Sequence, residues 1–433
     1  MGRVRAWMAI PVLLLALLVT GGARCYAQET TIPPGTVITL QNWQKYKDFM
    51  PVGVQVLFSG KYFWKFPPDF KMVIGPTHSY PLPAEYLKNT EKYSKQVKIV
   101  DLPDGGHSVT GYVAGIPFPN PEQPMKGYKI LADVWWDYIP HLQCGYDNFV
   151  LEDRFLSVHA ETVLQVYRRT GHISDPGQPI DDPRAPGVEF TEYLSVLAPE
   201  QSKYVAQLSI YYSDPTKSED LFLFVPALRR SLRLSSAARC SPTVGTDFTQ
   251  DDARNSNYNG GITRFQSKWL RDGKFVSLVN ADLTKTGNLS DIYRPVFFPM
   301  PSVGNFEVRD MYVIDIRRIP SQRVGYCYGK KIMYVDKQLF NGIWTEAYDE
   351  PMRLWKILYA FTFAQKIPQM GVIGATNEWM SAAYDLQAEH LSFGTRENSR
   401  PFGYNEECDN YGGENFNDIK MYSSTAGLNM IMK

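Results

Sequence analysis

Histidine is scarce in this chain, with six among 433 residues. They are His78, His107, His141, His159, His172 and His390, and no two stand at HxH or HExxH spacing. Zinc hydrolase chemistry needs imidazoles paired at such intervals, so it is not expected. No GxSxG elbow presents a serine nucleophile, and no CxxC pair suggests a redox or zinc motif. "PDGG" and "NYNGG" lack the lysine and helix start of a phosphate loop. "GGHS" (Gly105–Ser108) sets His107 beside a serine, but a triad is defined by geometry, and sequence neighbours rarely face each other. We therefore expect no enzyme, assign no catalytic residue or metal ligand, and infer no cofactor. A charge excess is also missing. The 45 basic residues balance 45 acidic ones, which leaves no electrostatic footprint for nucleic acid.

The longest apolar run is short and stands near the start. Arg3 and Arg5 precede Trp7–Thr20, and "ARCYAQE" follows. That order predicts an export leader over residues 1–27, with Cys25 and Ala27 at the −3 and −1 positions. A spanning helix would need a longer run, and Arg24 disfavours lipoprotein processing at Cys25. Cleavage removes three arginines and no acid, so the mature chain is slightly acidic. It also leaves Cys144, Cys240, Cys327 and Cys408. In an oxidising compartment these suggest two disulfides, with three possible pairings; separate buried thiols are the alternative.

What is abundant is Tyr (27), Phe (23) and Pro (30), which favours strands and structured loops over helices. We expect a Pro/Tyr-rich and helical elaboration over 28–185, an antiparallel sheet core over 186–370, and a helix with a polar tail over 371–433. Pro83 opens a helix with Tyr86, Leu87 and Tyr93 on one face. "GYKILADVWWDYIPHL" is a second helix, with Leu131, Val134 and Trp135 together. "NEWMSAAYDLQAEH" is a third. "DRFLSVHAETVLQVYRRTGHI" favours strands. The stretch from Glu189 to Leu234 alternates strands with the turns "APEQSK" and "SDPTKSED". Further strands follow at 262–280, 305–319, 323–350 and 354–365. With no interleaved crossover helices, the sheet is antiparallel. The acidic "NEECDNYGGENFND" could offer oxygen ligands to calcium, but it lacks EF-hand spacing and suits a solvated tail.

"LFLFVPALRRSLRL" (Leu221–Leu234) is the most distinctive stretch. Side chains alternate along a strand, so Phe222 and Phe224 share one face, and Leu221, Leu223 and Val225 the other. Both faces are apolar, so both are covered, and Pro226 marks an edge or bulge. Arg229, Arg230 and Arg233 then gather where the apolar run ends. They could meet a phosphate or carboxylate head group, or pair with Asp247, Asp251 or Asp252.

Four stretches carry a resemblance to a known family: "GYVAGIPFPNP" (Gly111–Pro121), "LFLFVPALRR…GTDFTQDD" (Leu221–Asp252), "YNGGITRFQSKWL" (Tyr258–Leu270) and "KKIMYVDKQLFNGIWTEAYDEPMRLWKI" (Lys330–Ile357). In order and spacing the chain resembles the bacterial secreted domain-of-unknown-function 1329 family, which is similar to the LolA and LolB lipoprotein carriers. Cys240 and the longer acidic tail depart from the family pattern. The resemblance implies a mostly β fold, a large antiparallel unclosed β-barrel of LolA/LolB-like type with covering helices. It also implies work beside RND-type exporters or other outer-membrane proteins of the envelope.

The resulting expectation is a periplasmic carrier for a lipophilic molecule such as a lipid or acyl chain, with peripheral membrane contact. A non-catalytic structural subunit of an envelope complex is the alternative. The expected ligand-binding residues are Phe222, Phe224, Arg229, Arg230, Arg233, Trp135, Trp269, Tyr334 and Trp344; Trp136 and Trp355 are further cavity candidates. Tryptophan suits such a wall because it joins large apolar area to one donor.

Overall fold

The structure, a computed structural model, describes Gly2 and residues 31–432, apart from 253, 255–256, 283–284, 286–288, 324–325, 362, 376–379 and 397–401. The expected leader, Gly2 aside, lies outside the described residues.

Strands dominate. The main sheet contains 14 of them: β1 (Leu142–Asp153), β2 (Val158–Arg169), β3 (Val188–Ala198), β4 (Ala206–Tyr212), β5 (Asp220–Val225), β6 (Arg230–Leu234), β7 (Phe265–Ser277), β8 (Glu307–Arg318), β9 (Lys330–Asp336), β10 (Gly342–Tyr348), β11 (Leu354–Phe361), β12 (Met380–Asp385), β13 (His390–Arg396) and β14 (Gly403–Tyr404). Every pairing is antiparallel, and the order is β6-β5-β4-β3-β2-β1-β13-β12-β11-β10-β9-β8-β7, with β14 added beside β1. The chain thus meanders outward from β1 to β6, crosses to the far edge, and meanders back from β7 to β13. Its two edges, β6 and β7, are consecutive in sequence and do not pair with each other. The sheet is not closed, and residues 235–264 carry the chain from one edge to the other.

Among the described residues five α-helices cover it: α1 (Val52–Phe58), α2 (Ala84–Tyr93), α3 (Lys126–Trp135), α4 (Ile419–Tyr422) and α5 (Thr425–Leu428). Directly paired residues share a face of the sheet, so the register sorts the side chains into two sets. The inner face carries Tyr312, Ile314 and Ile316 of β8, Met333 and Val335 of β9, and Phe190 and Tyr211 of β3 and β4. Its core includes α3. The outer face carries Trp344, Tyr359 and Phe361, packed with Phe58, Trp64, Phe70 and Phe298. Farther along the same face, Leu142, Leu208 and Phe224 meet Cys408, Phe416 and Leu428 of the C-terminal segment.

α3 lies close on the inner face because Gly127 has no side chain. A Cβ there would stand 2.3 Å from the Trp269 amide nitrogen of β7. Asp133 of the same helix accepts the Phe118 amide at 2.8 Å and so pins the "GIPFPNP" segment. Gly115 of that segment sits at φ +86°, where a Cβ would meet the Thr90 amide of α2.

Four expectations need correction. The sheet reaches well beyond 186–370, since β1, β2, β12, β13 and β14 belong to it. "NEWMSAAYDLQAEH" is no helix among its described residues: Met380–Asp385 is β12, followed by a turn into β13. Met380, Ala382 and Tyr384 fill one core while Ala383 fills another, and burial on both faces overrides the helix preference of alanine. The polar tail is held down rather than free: Cys408 and Phe416 are buried on the outer face, while Glu406, Glu407, Asp409, Glu414 and Asp418 stay exposed as expected. On α2 the buried face is Tyr86, Asn89 and Thr90, whereas Leu87 is 47 % exposed.

The cysteines pair Cys144–Cys408 and Cys240–Cys327. The first ties the C-terminal segment to β1 across 264 residues. Closing so long a loop restricts the unfolded chain strongly. Cys408→Ser is therefore expected to cost about 2–4 kcal/mol in guanidinium unfolding and to expose the segment after Gly403 to limited proteolysis. Unchanged stability and protection would overturn this role.

Candidate functional site

Among the segments that close over the inner face are α3 and the crossover of residues 235–264. α3 brings Trp135 against Phe190 (5.7 Å), Tyr211 (5.9 Å) and Tyr258 of the crossover (6.5 Å). The crossover is held by buried charge. Arg239 Nε donates to Asp251 Oδ1 (2.6 Å) and its Nη2 to the Asn259 carbonyl (2.7 Å). Lys331 of β9 reaches Asp252 at 2.5 Å, and Tyr328 donates to the same carboxylate at 2.6 Å. The Arg254 guanidinium stacks over Trp135 (4.6 Å) and Phe190 (4.7 Å) and donates to the Trp135 carbonyl. The surrounding cations hold both aspartates below the ordinary carboxylate range despite burial, with Arg239 foremost for Asp251 and Lys331 for Asp252.

Two cavities lie on this face, on either side of that polar partition. The first, about 130 Å³, is floored by Gln143, Asp147, Gln165 and Glu192 and roofed by Phe248 and Arg254. Asp147 is paired with Arg396 of β13 at 2.9 Å and accepts from Gln165 at 2.6 Å. This floor suits a hydrogen-bonding group better than an alkyl tail. The second cavity, about 440 Å³, opens at the seam between the two sheet edges. Its walls come from the β4–β5 turn, the crossover, and the end of β8 with the connection that follows. The Cys240–Cys327 disulfide spans these last two walls.

The expected binding residues are not gathered in one place. Phe222 and Phe224 point to the outer face, toward the C-terminal segment. Tyr334 and Trp344 also belong to the outer core, where Tyr334 donates to Glu346 and Trp344 to the Val276 carbonyl. Trp269 sits on edge strand β7 under the Lys126 ammonium (4.1 Å) and donates to Asp272. Trp136 packs on Tyr112, and Trp355 donates to Asp385. Trp135 borders the larger cavity. Arg229 and Arg230 lie exposed at the β5–β6 turn, and Arg233 pairs with Asp220. Asp251 and Asp252 serve Arg239 and Lys331 instead, and Asp247 accepts from Ser392. Pro226 falls in the tight turn into the edge strand.

All six histidines stand beside carboxylates: His78 with Glu307, His107 with Asp101, His141 with Asp175, His159 with Glu161, His172 with Glu189 and His390 with Asp247. Residue patterns missed Arg239, Arg264 and Arg318, which line the larger cavity. A signal was present for one of them. The inner-face alternation Tyr312, Ile314, Ile316 continues directly to Arg318.

The DUF1329 family, described as proteins of unknown function, matches residues 37–424. No curated protein matches the chain. Among solved structures, a domain from Vibrio parahaemolyticus named for outer membrane lipoprotein sorting shares 15 % identity, with a TM-score of 0.46 over 67 % of this chain and 96 % of that one. A DUF1329 family protein from Desulfovibrio piger shares 11 % identity, with a TM-score of 0.45 over 66 % and 97 %. A LolA superfamily protein from Nitrosomonas europaea shares 13 %, with a TM-score of 0.36 over 65 % and 94 %.

Burial pushes the Glu192 carboxyl up to about 7 from its ordinary 4.5, against the opposing pull of Arg254 and a hydrogen bond from Asn259. Between those values the folded chain keeps a proton that the unfolded chain has released, so rising pH removes stability, and the loss is complete above about 7. Glu192→Gln should flatten this part of the stability–pH profile and raise stability at pH 8. Denaturant midpoints across pH 4–8 that follow wild type would count against it.

Proposed function

We propose that this chain, which belongs to the DUF1329 family, is an exported binding protein that carries a lipophilic molecule through an aqueous compartment. The observation that carries the proposal is how the inner face is covered. Phe190 and Tyr211 near one edge of the sheet, and Ile314, Ile316, Met333 and Val335 near the other, are joined into one apolar core by α3. The ten-residue helix α3 lies at the centre of this cover, with the crossover's Tyr258 and Ile262 and with Tyr86, Val97, Val109 and Ile116 around it. Displacing α3 would offer this surface to an alkyl or polycyclic body, each buried methylene contributing about 0.8 kcal/mol. No covalent step is needed, since loading and release amount to exchanging a helix for a ligand.

Two disulfides suit the periplasm, where thiols oxidise. No helix among the described residues is long and apolar enough to cross a membrane. Handover to an RND-type exporter or an outer-membrane protein is the proposed partnership. One feature favours the second reading, a structural subunit: Phe155, Leu156 and Val158 stand exposed at the β1–β2 hairpin tip, Phe155 at 76 %. Such a tip fits a partner surface or a membrane.

Native mass spectrometry of the protein purified from periplasm, followed by organic extraction, decides between them. A stoichiometric lipophilic species is expected. A protein that stays empty when offered mixed envelope lipids would refute the carrier reading and leave the subunit. Gly127→Ala lifts α3 off β7. It should lower stability by about 1–3 kcal/mol and speed uptake of a fluorescent fatty acid in stopped flow; slower uptake would show that α3 is not the cover.

A further inference from the structure

The larger cavity holds more positive charge than the chain neutralises. Three arginines converge there. Arg239 is paired with Glu219 and Asp251. Arg264 reaches Glu219 at 3.0 Å and donates to the Gly260 carbonyl at 2.8 Å. Among the described residues Arg318 has neither kind of partner. It is 7 % exposed, yet Nε and Nη1 make no hydrogen bond there. What it touches is aromatic: Tyr326 at 4.2 Å and Phe265 at 4.8 Å from the guanidinium carbon. The two carboxylates of the cluster, Glu219 and Asp251, are already shared between Arg239 and Arg264. Lys217 adds another cation on the wall, and Asp104, at the other side, already accepts the Gly106 amide.

A buried guanidinium without a counter-charge is costly, and its planar fork matches a carboxylate or phosphate. The crowding shows in the neighbouring groups. Burial, with Arg239 beside it, lowers the Arg264 guanidinium to about 10. Burial also lowers Arg318, although Tyr326 and Asp251 oppose the shift. Walls of Trp135, Tyr211 and Ile262 continue from the arginines toward the apolar inner core. An amphiphile could therefore place its charged end at Arg318 and its body along the α3 side.

We propose that this seam cavity binds an anionic group, a phosphate or carboxylate, with Arg318 as its principal partner and Arg264 as a second. Only the identification of that anion as the head of a lipid rests on the carrier reading. The site itself rests on the cavity and the unpaired guanidinium. Arg229 and Arg230, exposed at the sheet edge, take no part.

The test is isothermal titration of the full mature chain with inorganic phosphate, dodecyl phosphate and dodecanol. Wild type should bind dodecyl phosphate. Arg318→Gln should weaken it roughly ten- to hundredfold, the loss of a charge-assisted contact, and Arg318→Lys should recover part of it. Dodecanol should bind both proteins alike. Equal affinity for inorganic and dodecyl phosphate would identify a free-anion site; tighter dodecyl phosphate would identify a lipid head. Should Arg318→Gln fail to fold, exposed Lys217→Gln and the thermal shift of wild type in phosphate, against chloride of equal ionic strength, give the same decision. Absence of any anion binding, or unchanged affinity in the variants, overturns the site. Dodecanol binding in that case would leave the carrier reading standing, and its failure would remove that reading separately.

Discussion

An antiparallel meander that does not close on itself has two edges to hide and two faces to cover. Here both edges belong to strands that follow one another in sequence, β6 and β7, so a single crossover must span the opening. Most of the remaining architecture follows from that constraint. The crossover runs over the inner face, which is also where α3 must lie. The Cys240–Cys327 bond fastens the start of the crossover to the β8–β9 connection, next to the strands at the opposite edge. The outer face is left to the segments before and after the sheet and to the connection between β7 and β8. Residues near Phe58 to Phe70 cover one half, and the Cys408-tethered C-terminal segment covers the other.

A crossover in that position cannot be secured by apolar packing alone. Its backbone lies over a sheet face, away from water, and its polar groups need partners. Arg239, Asp251, Asp252 and Arg254 supply them, together with Lys331 from the sheet. Buried ion pairs of this kind add little net stability, because desolvation offsets their attraction. Their effect is to fix one arrangement, since breaking any member leaves a buried charge alone. The polar partition between the two cavities is therefore a positional lock on a segment that has no strand ladder to hold it.

The sequence announced the strands more clearly than their placement. The alternation in Leu221–Val225 correctly separated Phe222 and Phe224 from Leu221 and Leu223, and the paired apolar faces correctly implied cover on both sides. Nothing in that pattern says which face turns inward, and the phenylalanines turned out. Tyr334 and Trp344 share the same fate, because aromatic bulk is equally at home in either core. The hairpin at Met380–Arg396 was hidden by alanines that prefer helix when judged locally. The three possible cysteine pairings were resolved only by the fold, which brings Cys144 of β1 to Cys408 and the two seam segments to each other. The α3 helix was legible because its apolar spacing and its role agree.

The arginines divide along the same line between local and tertiary information. Arg229, Arg230 and Arg233 stand out in the sequence because they are adjacent, yet adjacency at an edge turn leaves them in water, where charge is cheap. Arg239, Arg264 and Arg318 are scattered across some eighty positions and draw no notice, yet the seam gathers them where charge is expensive. Functional charge is better sought by the environment a strand imposes than by clustering along the chain. At Arg318 the imposed environment is the inner-face row of Tyr312, Ile314 and Ile316, and the cation that ends this row meets the rings of Tyr326 and Phe265, leaving its fork for something brought from outside.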